Sequence, residues 1–134
     1  MPVATGVEDR RAYLRDSELE LSAPSGASAT VNGTSKTFDA SNVDTAKLVV
    51  NSAGYTSYSA GSAEWVVSLK ASDDNSTFVE INSVTFPATA SVTEIAFSGA
   101  EVTEKVGGRA THIKADLTKT GSPGNATGSI YLYL

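Results

Sequence analysis

Ala63–Ile81 reads AEWVVSLKASDDNSTFVEI. Trp65, Val67 and Leu69 fall on one side of an extended chain, and Val66, Ser68 and Lys70 on the other. Successive side chains of a pleated strand point to opposite faces, so this period of two describes a half-buried strand rather than a helix. The run Ser72-Asp73-Asp74-Asn75-Ser76 then supplies short oxygen-bearing side chains that bond to their own backbone and hold a turn. Thr77 to Ile81 returns as a second strand. One such unit defines a sheet protein, without an activity.

The same grammar continues outward. Leu19 and Leu21 alternate with Glu18, Glu20 and Ser22, and Pro24-Ser25-Gly26 ends that run. Ala29-Thr30-Val31 and Lys36-Thr37-Phe38 flank Asn32-Gly33, a dipeptide suited to the positive φ angles of a tight hairpin. Ala46 to Asn51 reads as a short buried strand, followed by a Gly- and Ser-rich loop from Ser52 to Ser62 carrying Tyr55 and Tyr58. Ser83 to Phe86 stops at Pro87, and Val92 to Phe97 precedes Gly99. Ala100 to Val106 fits either a loop or a short helical turn. Arg109 to Leu117 alternates again, Thr120 to Asn125 is a strong turn, and Ser129 to Leu134 closes the series.

About eight short strands, separated by turn signals and almost free of helical period, imply an all-β fold. The expected architecture is an antiparallel two-sheet β-sandwich, jelly-roll-like, over residues 17–134. Local patterns leave the strand order open. Residues 1–16 differ, because Glu8, Asp9, Arg10, Arg11, Arg15 and Asp16 crowd charge into a charge-poor chain. An isolated helix shorter than about 12 residues is marginal in water, so this segment is read as a loose arm, either an ordinary frayed terminus or a segment that orders on a partner.

Composition removes several functions. A chain of 134 residues suits one domain with a real core. A net charge of −5 argues against nucleic acid, whose phosphates require a basic surface. With no cysteine there is no disulfide, thiolate metal site or Cys nucleophile. No stretch approaches the roughly 18 apolar residues of a membrane helix, and the N-terminus lacks the apolar core of a signal peptide. The expectation is a soluble chain made in a cytoplasm, with no membrane partner.

His112 is the single histidine, on the polar side of a strand, which leaves transition metals only carboxylates to bind. No serine sits in a GxSxG setting, and no Walker or GxGxxG loop occurs. Asp73-Asp74-Asn75 lacks the spacing, central glycine and twelfth-position Glu of an EF-hand, and reads as a turn cap. Glu64, Glu80, Glu94, Glu101 and Glu104 are scattered and define no glycosidase pair. The chain is therefore expected to be no enzyme, with no catalytic residues, metal or cofactor.

Surfaces remain. In the last strand Ile130, Leu132 and Leu134 share one face and Tyr131 and Tyr133 the other, so both faces are apolar. The tyrosine face is covered either by this chain or by another one. Arg10, Arg11, Tyr13, Leu14 and Arg15 combine bidentate charge with apolar area, a chemistry suited to an interface. Tyr55 and Tyr58 offer a possible glycan contact.

The segments WVVSLKASDDNSTFVEI and HIKADLTKTGSPGNATGSIYLYL, within an acidic, Cys-free chain with a charged arm, resemble the β-sandwich cement or decoration proteins of tailed bacteriophage capsids. That resemblance implies a structural virion protein on the capsid surface, synthesised in the host cytoplasm. It implies the major capsid protein as partner, and further copies of itself as a homotrimer. Similar sandwiches serve in phage head fibres, tails and galactose-binding-like domains. The SDDNSTF turn also resembles the last group, which implies the alternative of a carbohydrate- or receptor-binding module.

Overall fold

A computed structural model describes residues 20–133. Eight strands form in chain order: β1 Glu20–Ser22, β2 Lys36–Thr37, β3 Thr45–Ser52, β4 Glu64–Ser72, β5 Val79–Thr85, β6 Ser91–Ser98, β7 His112–Thr120 and β8 Gly128–Tyr133. One helix, α1 Gly99–Val106, joins β6 to β7, and a single 3-10 turn covers Ala40–Asn42. The strands make two four-stranded antiparallel sheets, ordered β1-β8-β3-β6 and β2-β7-β4-β5. The all-β, two-sheet expectation holds.

The pairing has a simple logic. Folded at its middle, the chain matches β4 with β5, β3 with β6, β2 with β7 and β1 with β8. Winding this long antiparallel ribbon on itself adds the β3–β8 and β4–β7 contacts and splits it into two sheets. This is jelly-roll wiring. Loops 53–63, 86–90 and 121–127 gather at one pole. The 3-10 turn, the β4–β5 turn and α1 gather at the other.

The core follows the period-two reading. Trp65, Val67, Leu69 and Ala71 of β4 are wholly buried, as are Ile113, Ala115 and Leu117 of β7. Leu48 and Val50 of β3 and Ile130 and Leu132 of β8 meet them from the other sheet. Phe86 and Phe97 close the two poles, and Phe97 lies 6.2 Å from the ring of Phe38.

Three local expectations change and one open alternative is settled. Asn32-Gly33 does not turn a hairpin: Val31 bridges Leu117, while Lys36 and Thr37 pair with Ile113 and His112. Residues 31–37 therefore run as one interrupted edge along β7. The glycine is required because a Cβ there would lie 1.9 Å from the Ala115 carbonyl oxygen. The runs before and after Ile81 fuse into one strand, β5, whose register shifts between Leu69 and Lys70 of its partner. The strand expected from Arg109 starts at His112 and runs to Thr120. Residues 99–106 are a true helix, capped by Ser98 accepting from the Glu101 N–H and ended by Gly107 at φ 80°.

Candidate functional site

At the loop pole, Tyr55 is built into the fold. Its hydroxyl donates to the Phe86 carbonyl at 3.0 Å and accepts from the Trp65 N–H at 3.2 Å, while its ring stacks on Phe86. Burial raises its pKa, against the lowering effect of the Trp65 N–H. Trp65 itself donates from Nε1 to the Gly124 carbonyl at 2.9 Å, which fastens the β7–β8 loop to the same point. Tyr58 meets Tyr55 edge-on and remains 46% exposed. The pair suggested by sequence is brought together, but Tyr58 alone projects broadly to solvent.

On the outer side of β1-β8-β3-β6, Tyr131 stands opposite Val49 and Glu20, and Tyr133 opposite Lys47. Both tyrosines are half-buried. Val49 points away from the main core, yet only 3% of it is exposed. Beside it, Lys47 pairs with Glu94 at 3.2 Å. A groove of about 370 Å³ is lined by Thr45, Ala46, Lys47, Ala96 and Tyr133. The second apolar face expected from the last strand is present here. Arg10, Arg11, Tyr13, Leu14 and Arg15 lie outside the described residues.

The outer side of β2-β7-β4-β5 holds a polar cluster. Asp116 is 4% exposed despite standing on the outward face of β7. Its carboxylate accepts from the Gly33 N–H and from Lys70 at 2.9 Å, with Lys114 at 3.5 Å. Burial alone would raise its pKa, but Lys70, the Gly33 N–H and Lys114 together hold it below the usual carboxylate range. Lys114 also lies over the Phe78 ring, 4.8 Å from its centre. His112 accompanies Thr111, with Nδ1 2.9 Å from the hydroxyl.

The acidic turn bonds inward. Asp74 accepts from the Ser76 and Thr77 N–H groups and from the Ser72 hydroxyl, which lower its pKa. At the helix pole Asp39 caps the 3-10 turn through Ser41 and takes Arg109 Nη2 at 2.8 Å. The Arg109 guanidinium, with Ser41, holds the Asp39 pKa at about 2. A nearby groove of about 440 Å³ lies between the 3-10 turn and α1, lined by Val43, Asp44, Ala100 and Glu104 among others. Among the described residues no three His, Cys, Asp or Glu side chains gather as a metal site. No helix among them is long and apolar enough to cross a membrane.

Sequence reading missed two features. The Asp116 cluster combines residues from three segments, and alternation alone places Asp116 only on the face of β7 opposite Ile113 and Ala115. The roles of Tyr55 and Trp65 depend on Phe86 and Gly124, which no local pattern connects to them. By fold and surface the chain is a jelly-roll sandwich whose larger groups of ionisable and aromatic side chains serve its own architecture. Comparison with protein-family models, curated proteins and solved structures finds no match.

Proposed function

We propose that this chain is a structural virion protein, which binds the outer surface of an icosahedral phage capsid and stabilises it by bridging capsid protein subunits. The observation that carries this reading is the jelly-roll wiring, an architecture that recurs in viral capsid domains. The chemistry supports it. Asp39, Asp74 and Asp116 are engaged in holding turns and strands, leaving broad surfaces as the means of interaction. Jelly rolls also occur in lectins, but a sugar platform needs open aromatic faces, and Tyr55 is committed to Phe86 and Trp65.

A shell ligand stabilises the lattice form it binds better, by mass action on that form. Several weak contacts to neighbouring subunits reinforce one another through effective concentration. The test is sedimentation of the purified chain with shells assembled from the capsid protein encoded in the same genome. Saturable binding to expanded shells, stronger than to unexpanded ones, is expected. Absence of binding to both, with glycan binding that is lost in Tyr58→Ala, would replace this reading with the carbohydrate-binding one.

A further inference from the structure

We infer that β6 is an edge through which two copies of this chain join, antiparallel about a two-fold axis at Ile95. An exposed sheet edge presents a row of backbone donors and acceptors, and native proteins block such rows with short strands, bulges, charges or covering elements. Three of the four edges here are blocked. Among the described residues β1 runs for three, with a register shift between Glu20 and Ser22. β2 has two residues and is separated from the Val31 bridge by the close approach of Gly33. β5 is bulged, and Lys105 of α1 donates to its Ile81 carbonyl at 3.0 Å.

β6 carries none of these devices but a single charge. It runs for eight residues, SVTEIAFS, with no proline, glycine or lysine. Its register with β3 is unbroken from Ser98 opposite Thr45 to Ser91 opposite Ser52. Its one charge, Glu94, lies 3.2 Å from Lys47 in a solvent-exposed pair. Among the described residues nothing pairs with its other side. Val92 is 57% exposed, and Glu94 and Ala96 are exposed beside it. A regular edge of this kind fits an extended polypeptide strand.

A second copy supplies a matching strand. Reversed on itself, β6 keeps every side chain on its own face in two central registers. Centring on Glu94 sets two carboxylates directly opposite, which is unfavourable. Centring on Ile95 sets Ile95 against Ile95, Glu94 against Ala96, Thr93 against Phe97 and Val92 against Ser98. No like charges face each other, and the half-buried Ile95 gains an apolar neighbour on its open side. Charge therefore selects the register. The contact is isologous and closes at two copies, so it does not grow into a fibre. A strand pair of this length is smaller than the roughly 1,200 Å² at which standard interfaces begin, so the association is weak and reversible.

Analytical ultracentrifugation of the full chain over a concentration series tests the inference, with Ala96→Glu and Ala96→Lys as variants. In the Ile95 register, position 96 faces Glu94 of the second copy twice per dimer. Ala96→Glu should weaken dimerisation by about fivefold or more, and Ala96→Lys should tighten it comparably. Within one copy Ala96 stands opposite Lys47, so the intrachain charge effect on folding has the reverse sign. Unfolding therefore cannot mimic the result. A wild-type monomer at the highest soluble concentration, a trimer, or a dimer constant that both variants leave unchanged or shift in the reverse order would overturn it.

Discussion

Tyr55→Phe removes one oxygen atom and leaves the ring stacked on Phe86, so it isolates the hydroxyl. That hydroxyl accepts from the Trp65 N–H and donates to the Phe86 carbonyl. A neutral hydrogen bond contributes about 1 kcal/mol net, and a buried donor left without its acceptor costs about 1–3 kcal/mol. Trp65 is fully buried, so its N–H has little recourse to solvent, whereas the Phe86 carbonyl retains a second lone pair. The expected loss is about 2 kcal/mol. With a urea slope near 2 kcal/mol per molar, the unfolding midpoint falls by about 1 M. Trp65 is the only tryptophan in the chain and adjoins the altered group, so its fluorescence reports the transition directly. Tyr58→Phe, at an exposed ring, is the matched control. A Tyr55→Phe midpoint indistinguishable from that control would refute the assignment of Tyr55 as a clasp between the loop pole and β4.

Gly33→Ala should destabilise the chain by about 3 kcal/mol, because the new Cβ overlaps the Ala115 carbonyl and backbone must move; thermal unfolding against Gly108→Ala, where the added Cβ would meet only the Asp73 carboxylate at 3.7 Å, separates steric overlap from a general glycine effect. Asp116→Ala should cost about 2 kcal/mol, since it leaves the Gly33 N–H without its acceptor and Lys70 facing Lys114. The folded-state pKa of Asp116 lies below its unfolded value, so its contribution is present above about pH 4 and is lost as pH falls through the lowered folded value. Chemical denaturation from pH 6 downward should therefore show a smaller acid-induced loss in Asp116→Asn than in wild type, and equal losses would exclude this linkage.

The core was legible because it rests on local alternation: Trp65, Val67 and Leu69 announce one face, and the fold buries that face. The helix was legible in principle too. Ser98 followed by Glu101 has the spacing of a capping box, and Gly107 marks the end, although eight residues are too few for a strong helical period. Gly33 was misread for a physical reason. Asn-Gly carries the same local signal whether the glycine turns a hairpin or admits a passing carbonyl, and the deciding atom belongs to Ala115. Strand order was unreadable for the same cause, since each partner is specified by the whole wound ribbon. The tyrosine face followed from alternation in β8. The β6 edge became visible only once its neighbours were known, because an edge is defined by what does not pair with it.

Jelly-roll wiring also governs when this molecule can fold during its own synthesis. Leu69 and Asn82 pair across thirteen positions, Val49 and Glu94 across forty-five, Lys36 and Ile113 across seventy-seven, and Glu20 and Tyr131 across one hundred and eleven. A ribosome emitting about 5–20 residues per second releases β1 and β2 several seconds before the strands they need. The β4–β5 hairpin can close early, but β7 and β8 occupy the middle of their sheets and must arrive before either sheet is whole. Native structure is thus withheld until residue 133 has emerged. In the interval β3 and β6 stand as a nascent two-stranded ribbon with both margins bare, the stage at which a chaperone has most to protect.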